Sequence, residues 1–270
     1  MLISGSLLAQ NKMSCCSKTD ATEEFAVFAS DKNFMATHES PLPFTFHPVN
    51  GKDIEYKTDD GTNAHAFEVK TEKNSPYWII VIHEWWGLND YIKQESEKLF
   101  GDFGVNVLAI DLYDRKIATN QQEASQAMQA VKTERAVSII KGAIAHVGKD
   151  AKILTIGWCF GGGWSLQTAL LAGKQAAGCV MYYGMPEKDV EKLKTLNCDV
   201  LGIFATQDGY ITPQVVNEFA ENMKKAGKNL SVHNYDAVHA FANPSNPKYD
   251  KASADDAFKY VTEFYKERIK

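Results

Sequence analysis

The stretch Gly157-Trp158-Cys159-Phe160-Gly161-Gly162 constrains this chain more than any other. It follows an apolar run at 152–156 and leads into a helix-like segment at 163–171. A strand that ends in Gly-x-nucleophile-x-Gly and re-enters the fold as a helix must turn sharply, so the flanking positions tolerate little or no side chain. Such a turn presents its central residue at the top of a sheet and aims the next backbone N–H at the reacting carbonyl. The central residue here is a thiol. The segment therefore reads as an exposed cysteine nucleophile rather than a small buried hydrophobe, the commoner fate of a free cysteine.

The rest of the chain agrees with a sheet built to hold such a turn. Apolar runs at 77–82, 105–110, 152–156, 178–183 and 200–205, with a more polar one at 230–235, alternate with helix-like stretches at 91–100, 121–147, 163–171, 187–196 and 213–226. A final amphipathic segment at 253–269 places Ala257, Tyr260, Val261, Phe264 and Tyr265 on one face. Continuous apolar strands joined by helices predict an α/β fold with a mostly parallel central sheet, covered by helices on both faces. Before it, Asp59-Asp60-Gly61 separates two short alternating segments, which predicts an N-terminal β-hairpin. Residues 26–50 carry Pro41, Pro43 and Pro48 and read as extended or irregular. Residues 1–25 read as a flexible leader or a degenerate signal or lipoprotein segment, because a short apolar start meets Cys15-Cys16 without a basic region before it. Cytoplasmic and exported locations both stay open. Residues 26–270 read as one domain.

Composition narrows the function. The net charge of −5 and a pI near 5.8 argue against a nucleic-acid or anionic-membrane partner. No stretch is long and apolar enough for a membrane span. The five cysteines form no CxxC pair, which argues against a zinc ribbon or a dithiol redox motif. Cys179 and Cys198 lie beside predicted strands and read as buried, inert thiols.

Polar residues just past the predicted strands supply partners for Cys159. These are His83 and Glu84 after 77–82, Asp208 after 200–205, and His239 after 230–235. The order nucleophile, acid, histidine suits a triad in which Asp208 orients His239 and stabilises its imidazolium. Asp208-Gly209 is also an ordinary turn signal, and His239 alone would pass as a loop histidine. His83-Glu84-Trp85-Trp86-Gly87 is not a zinc-protease motif: a second histidine would have to stand at 87, where the chain has glycine. It reads better as an oxyanion loop, with the Trp85 and Phe160 amides as donors and Glu84 pointing into the site. Trp86, Trp158, Tyr183 and Tyr210 would wall a substrate pocket, although aromatic residues often serve only as core. No metal or organic cofactor is expected.

Together these segments resemble the dienelactone hydrolase family from about Asp53 to the C-terminus. The resemblance rests on His83-Glu84-Trp85-Trp86-Gly87, Asp111-Leu112-Tyr113, Tyr182-Tyr183-Gly184, Gly157-Trp158-Cys159-Phe160-Gly161-Gly162, Gln207-Asp208 and His239-Ala240-Phe241. It implies an α/β-hydrolase fold, a Cys159–Asp208–His239 triad, and a Glu84 that helps deprotonate the thiol when substrate arrives. It also implies a small ester or lactone substrate. One position departs from the family. Members that bind a carboxylated lactone have an arginine shortly after the histidine, where this chain has Asn243; Arg115 and Arg135 are the nearest candidates for a second arginine. An arginine fork grips a carboxylate far better than an amide does, so dienelactone itself fits this chain poorly. Thioester, acyl-transfer or peptide chemistry on the same fold, or a silent binding protein, are the competing readings.

Overall fold

A computed structural model describes residues 27–270. The leader reading of residues 1–25 lies outside them. The chain builds one eight-stranded sheet. Its strands are β1 Gly51–Tyr56, β2 Ala64–Val69, β3 Tyr77–Ile82, β4 Asn106–Ile110, β5 Lys152–Trp158, β6 Ala176–Tyr182, β7 Val200–Ala205 and β8 Leu230–Tyr235. Their spatial order is β1-β2-β4-β3-β5-β6-β7-β8. The β1–β2 hairpin is antiparallel with Tyr56 opposite Ala64, β2 meets β4 antiparallel, and every pairing from β4 to β8 is parallel. The central strands are apolar throughout because helices cover both of their faces. All residues of β3, β4 and β7 are buried.

The helices are α1 Lys32–Thr37, α2 Asp90–Phe103, α3 Gln121–Ala130, α4 Thr133–Val147, α5 Phe160–Ala172, α6 Val190–Leu193, α7 Pro213–Lys225 and α8 Lys251–Lys266. Local chemistry fixes several ends. Asn89 caps α2 through its side chain, and Gly104 closes it in the left-handed conformation at φ 64°. Thr212 and Pro213 open α7. Among the described residues, no helix is long and apolar enough to cross a membrane.

Two expectations need correction. The helical stretch at 121–147 is two helices, broken where Val131 and Lys132 adopt extended backbone. The break lets α3 pack on α1 while α4 packs on β1, β4 and α5. Residues 26–50 are not simply irregular either. Asp31 accepts the Asn33 and Phe34 amides and starts the short helix α1, whose Phe34 is fully buried. The chain from α1 to β1 then forms a strap across the carboxyl edge of the sheet. Gln121 donates to the His38 carbonyl at 2.8 Å and Ser125 to the Ala29 carbonyl at 2.6 Å. The Leu42 amide reaches the Ser245 carbonyl at 3.2 Å, and the Phe46 amide reaches Asp90 at 2.9 Å. A single oxygen of Glu97 accepts three successive amides, Val49, Asn50 and Gly51, at 2.7–2.9 Å.

Candidate active site

Strand β5 delivers Cys159 to a bend that only small neighbours permit. A Cβ on Gly157 would overlap the Gly161 carbonyl, and one on Gly161 would overlap the carbonyls of Ile82 and His83. Cys159 itself sits at φ 55°, ψ −120°. Tyr183 at φ 35° and Ala240 at φ 61° near it, and Asp114 and Arg115 at φ 47° and 73° after β4, are the other non-glycine residues held at positive φ among the described residues. Such strain persists only where packing enforces it, and it concentrates at functional sites. Helix α5 begins at the next residue, so its positive end and the Phe160 amide both face the sulfur.

The structure brings His239 and Asp208 to the same place. His239 Nδ1 lies 2.5 Å from Asp208 Oδ2, and the other carboxylate oxygen accepts the Tyr210 and Ile211 amides at 2.8 and 3.0 Å. Burial works against the Asp208 carboxylate. The His239 imidazole and those two amides outweigh it and hold the group below its ordinary range. Burial also works against charge on His239, but Asp208 and the Cys159 sulfur outweigh it and raise the imidazole well above its ordinary value. Cys159 goes the other way. Burial pushes the thiol up, with His239 and the Phe160 amide opposing.

The sulfur is not exposed, contrary to the expectation for such a turn: Cys159 is 0% accessible. The strap covers it. His38, from the turn after α1, stands with Nε2 3.6 Å from Cys159 Sγ. Its ring lies 4.6 Å from that of Trp85 and 5.1 Å from that of His239. Phe34 packs edge-on against Trp85 and Tyr210 beside it. Burial, reinforced by the neighbouring His239, lowers the His38 imidazole to about 3, so it is neutral. No local signal in Ala36-Thr37-His38-Glu39 marks this residue. Asp31 as a helix cap could have revealed α1, but not what α1 rests on.

Glu84 is buried, and Asn243 donates to it at 2.6 Å. Burial pushes the carboxyl up to about 7, against His239 and Asn243. Asn243 thus keeps the position of a partner to Glu84 without its charge, and its own oxygen accepts from Ser245. His83 serves the loop rather than the chemistry. Its Nδ1–H donates to the Glu84 carbonyl at 2.5 Å and its Nε2 accepts the Leu112 amide at 3.0 Å, so it ties the loop after β3 to the end of β4.

A cavity of about 470 Å³ opens against Glu84, Trp158, Asn243, Tyr182 and Tyr91. Cys159 and His239 do not line it, because the strap fills the space above them. Trp86 borders a small hollow that Glu84 and Asn243 share. Tyr183 packs on His239, and Tyr210 faces the strap. Arg115 lines a separate hollow with Asp111 and His65. Arg135 is spent on Asp60 and Asp114 at 3.0 and 2.6 Å. Neither arginine stands at Cys159.

Comparison with known proteins agrees with this architecture. The family model "Dienelactone hydrolase family" matches residues 64–269, well over half of the chain. A relative from Aquifex pyrophilus, named Protein usf, is 27% identical over 211 residues, covering 72% of this chain and 91% of its own. A carboxymethylenebutenolidase from a Pseudomonas species is 26% identical over 185 residues, covering 63% of this chain and 76% of its own. Among solved structures, a dienelactone hydrolase-like promiscuous phosphotriesterase from metagenomic libraries superposes with a TM-score of 0.71 at 19% identity, over 82% of this chain and all of its own. The chain belongs to the dienelactone hydrolase family and is a hydrolase built on the α/β-hydrolase fold.

Proposed function

We propose that this hydrolase cleaves a small ester or lactone through Cys159, with His239 as proton carrier and Asp208 as its orienting partner. The observation that supports this most is the 2.5 Å Asp208–His239 pair set beside a cysteine held at φ 55°. A carboxylate on Nδ1 fixes the proton there and leaves Nε2 to take one from the thiol. The thiolate attacks the carbonyl carbon, and the Trp85 and Phe160 amides receive the oxyanion. The alkoxide leaves with the proton held by His239. Water then gives a proton to His239, attacks the thioester, and releases the acid and the thiol.

Glu84, protonated near neutrality, is a second proton store beside this path and becomes an acceptor when substrate disturbs its bond to Asn243. Trp158 and Asn243 contact the leaving or acyl part of the substrate from the adjoining cavity, with Trp86, Tyr183 and Tyr210 as outer walls. Since the sulfur is covered, substrate reaches it only after residues 34–38 withdraw. The test is turnover of a small aryl ester by Cys159→Ala. The variant keeps the parent circular dichroism and loses activity. Equal rates for variant and parent would overturn the reading.

A further inference from the structure

Three ligand-type side chains converge on one buried point at this edge. The ligand-type atoms of His38, Cys159 and His239 all lie within 4.8 Å of one another, and all three residues are buried. The tautomers follow from their neighbours. His38 Nδ1 lies 2.9 Å from the Phe34 carbonyl, which only accepts, so Nδ1 carries the hydrogen and Nε2 presents a lone pair to the sulfur. Thr37 Oγ1, 3.1 Å from the same nitrogen, already donates to that carbonyl and accepts here. His239 Nδ1 is held by the Asp208 carboxylate in the same way. Its Nε2 is buried and has no hydrogen-bond partner among the described residues. Both imidazoles address the same sulfur, so Sγ and a ring nitrogen from each histidine can reach one small buried centre.

We propose that His38, Cys159 and His239 form a binding site for a thiophilic divalent cation of the zinc type, which fastens the strap over the nucleophile. Zinc–sulfur and zinc–nitrogen bonds of roughly 2.3 and 2.0–2.1 Å at a tetrahedral angle separate the two ligand atoms by about 3.6 Å. The Cys159 Sγ–His38 Nε2 separation is 3.6 Å. Each imidazole has an outer partner on its far nitrogen, Phe34 for His38 and Asp208 for His239. Such partners orient histidine ligands in metal sites. The charges also close: two positive from the ion, one negative from the thiolate and one from Asp208. As the ion binds, the protons held on Cys159 Sγ and His239 Nε2 leave to solvent. The fourth position falls to water. The ion then occupies the lone pairs that hydrolysis needs and links the strap, through His38, to the body of the enzyme. The loaded protein is a latent form.

Cobalt(II) titration of the chelator-treated full chain tests this without any assay of hydrolysis, so its outcome is independent of the proposed activity. The expected result is a near-ultraviolet sulfur-to-cobalt charge-transfer band with tetrahedral visible bands, saturating at one ion per chain and displaced by zinc. Cys159→Ser abolishes the charge-transfer band. His38→Ala weakens cobalt binding by more than the roughly 10–100-fold that loss of an outer partner costs. His38→Cys restores tight binding with a stronger charge-transfer band, which separates loss of a ligand from loss of the strap's fold. Absence of the band in the parent chain, or equal cobalt affinity in the parent and His38→Ala, overturns the proposal.

Discussion

His38 Nε2 stands 3.6 Å from the Cys159 sulfur across 121 residues of chain, and Phe34 on the preceding helix α1 anchors the contact by packing on Trp85. Truncating that anchor should therefore uncover the thiol. Removing a buried phenyl ring costs about 3–5 kcal/mol at the site. The strap's other anchors, hydrogen bonds at Ala29, His38, Leu42 and Phe46 and the Phe44–Tyr91 ring contact, stay in place, so the loss should fall on closure over Cys159. Phe34→Ala is expected to raise the rate of Cys159 alkylation by iodoacetamide and to leave that of Cys179, inside the sheet, unchanged. Mass spectrometry of the labelled peptides measures both. Identical Cys159 rates in parent and variant would refute strap cover.

Asp208→Asn should lower kcat by about 10³–10⁴-fold, the scale expected when the orienting carboxylate becomes an amide and the imidazole tautomer is wrong. The amide oxygen can still accept the Tyr210 and Ile211 amides, so the loop should hold and the thermal midpoint should stay close to the parent's. Steady-state kinetics with calorimetry separate the two effects. A large loss of stability with unchanged kcat per folded molecule contradicts the orienting role.

Glu84 makes stability depend on pH. Its folded carboxyl titrates at about 7, above the ordinary 4.5, so the folded state holds this proton more tightly than the unfolded chain does. No cost is present below about pH 4.5; it grows as pH rises toward 7 and is complete above that. A shift of this size is on the order of 3 kcal/mol. Glu84→Gln should remove that slope. Urea unfolding at pH 5 and pH 8 should show the variant gaining on the parent only at the higher pH. An equal difference at both values rules the Glu84 contribution out.

Asn243 should set substrate charge. It lines the cavity with Glu84, Glu95 and Asp255 against Lys98 and Lys251, and neither Arg115 nor Arg135 reaches Cys159. Neutral lactones are expected to show a higher kcat/KM than carboxylated analogues. Asn243→Arg should narrow that gap by supplying a fork for the carboxylate. A parent enzyme that already prefers the carboxylated lactone contradicts this account.

Much of the fold was legible because parallel strands covered on both faces read as unbroken apolar runs. Strands β3, β7 and β8 fall on the expected residues, and the hairpin forms around Asp59-Asp60-Gly61. The elbow was legible because glycine is required where backbones touch. The break at Val131–Lys132 was not, since an uninterrupted helical pattern says nothing about which neighbours each half must meet.

Sequence by itself determined the sheet and the sharp bend at Cys159, because each depends on residues close together in the chain or on a repeating apolar pattern, and it set Cys159, Asp208 and His239 just past strand ends. Tertiary structure alone decided that Asn243 would meet Glu84, that His83 would serve as a latch, and that the strap would lay His38 on the sulfur. Those contacts join segments 29–159 residues apart. They form only when independently folded pieces are pressed onto one edge, and no local preference encodes which pieces arrive there.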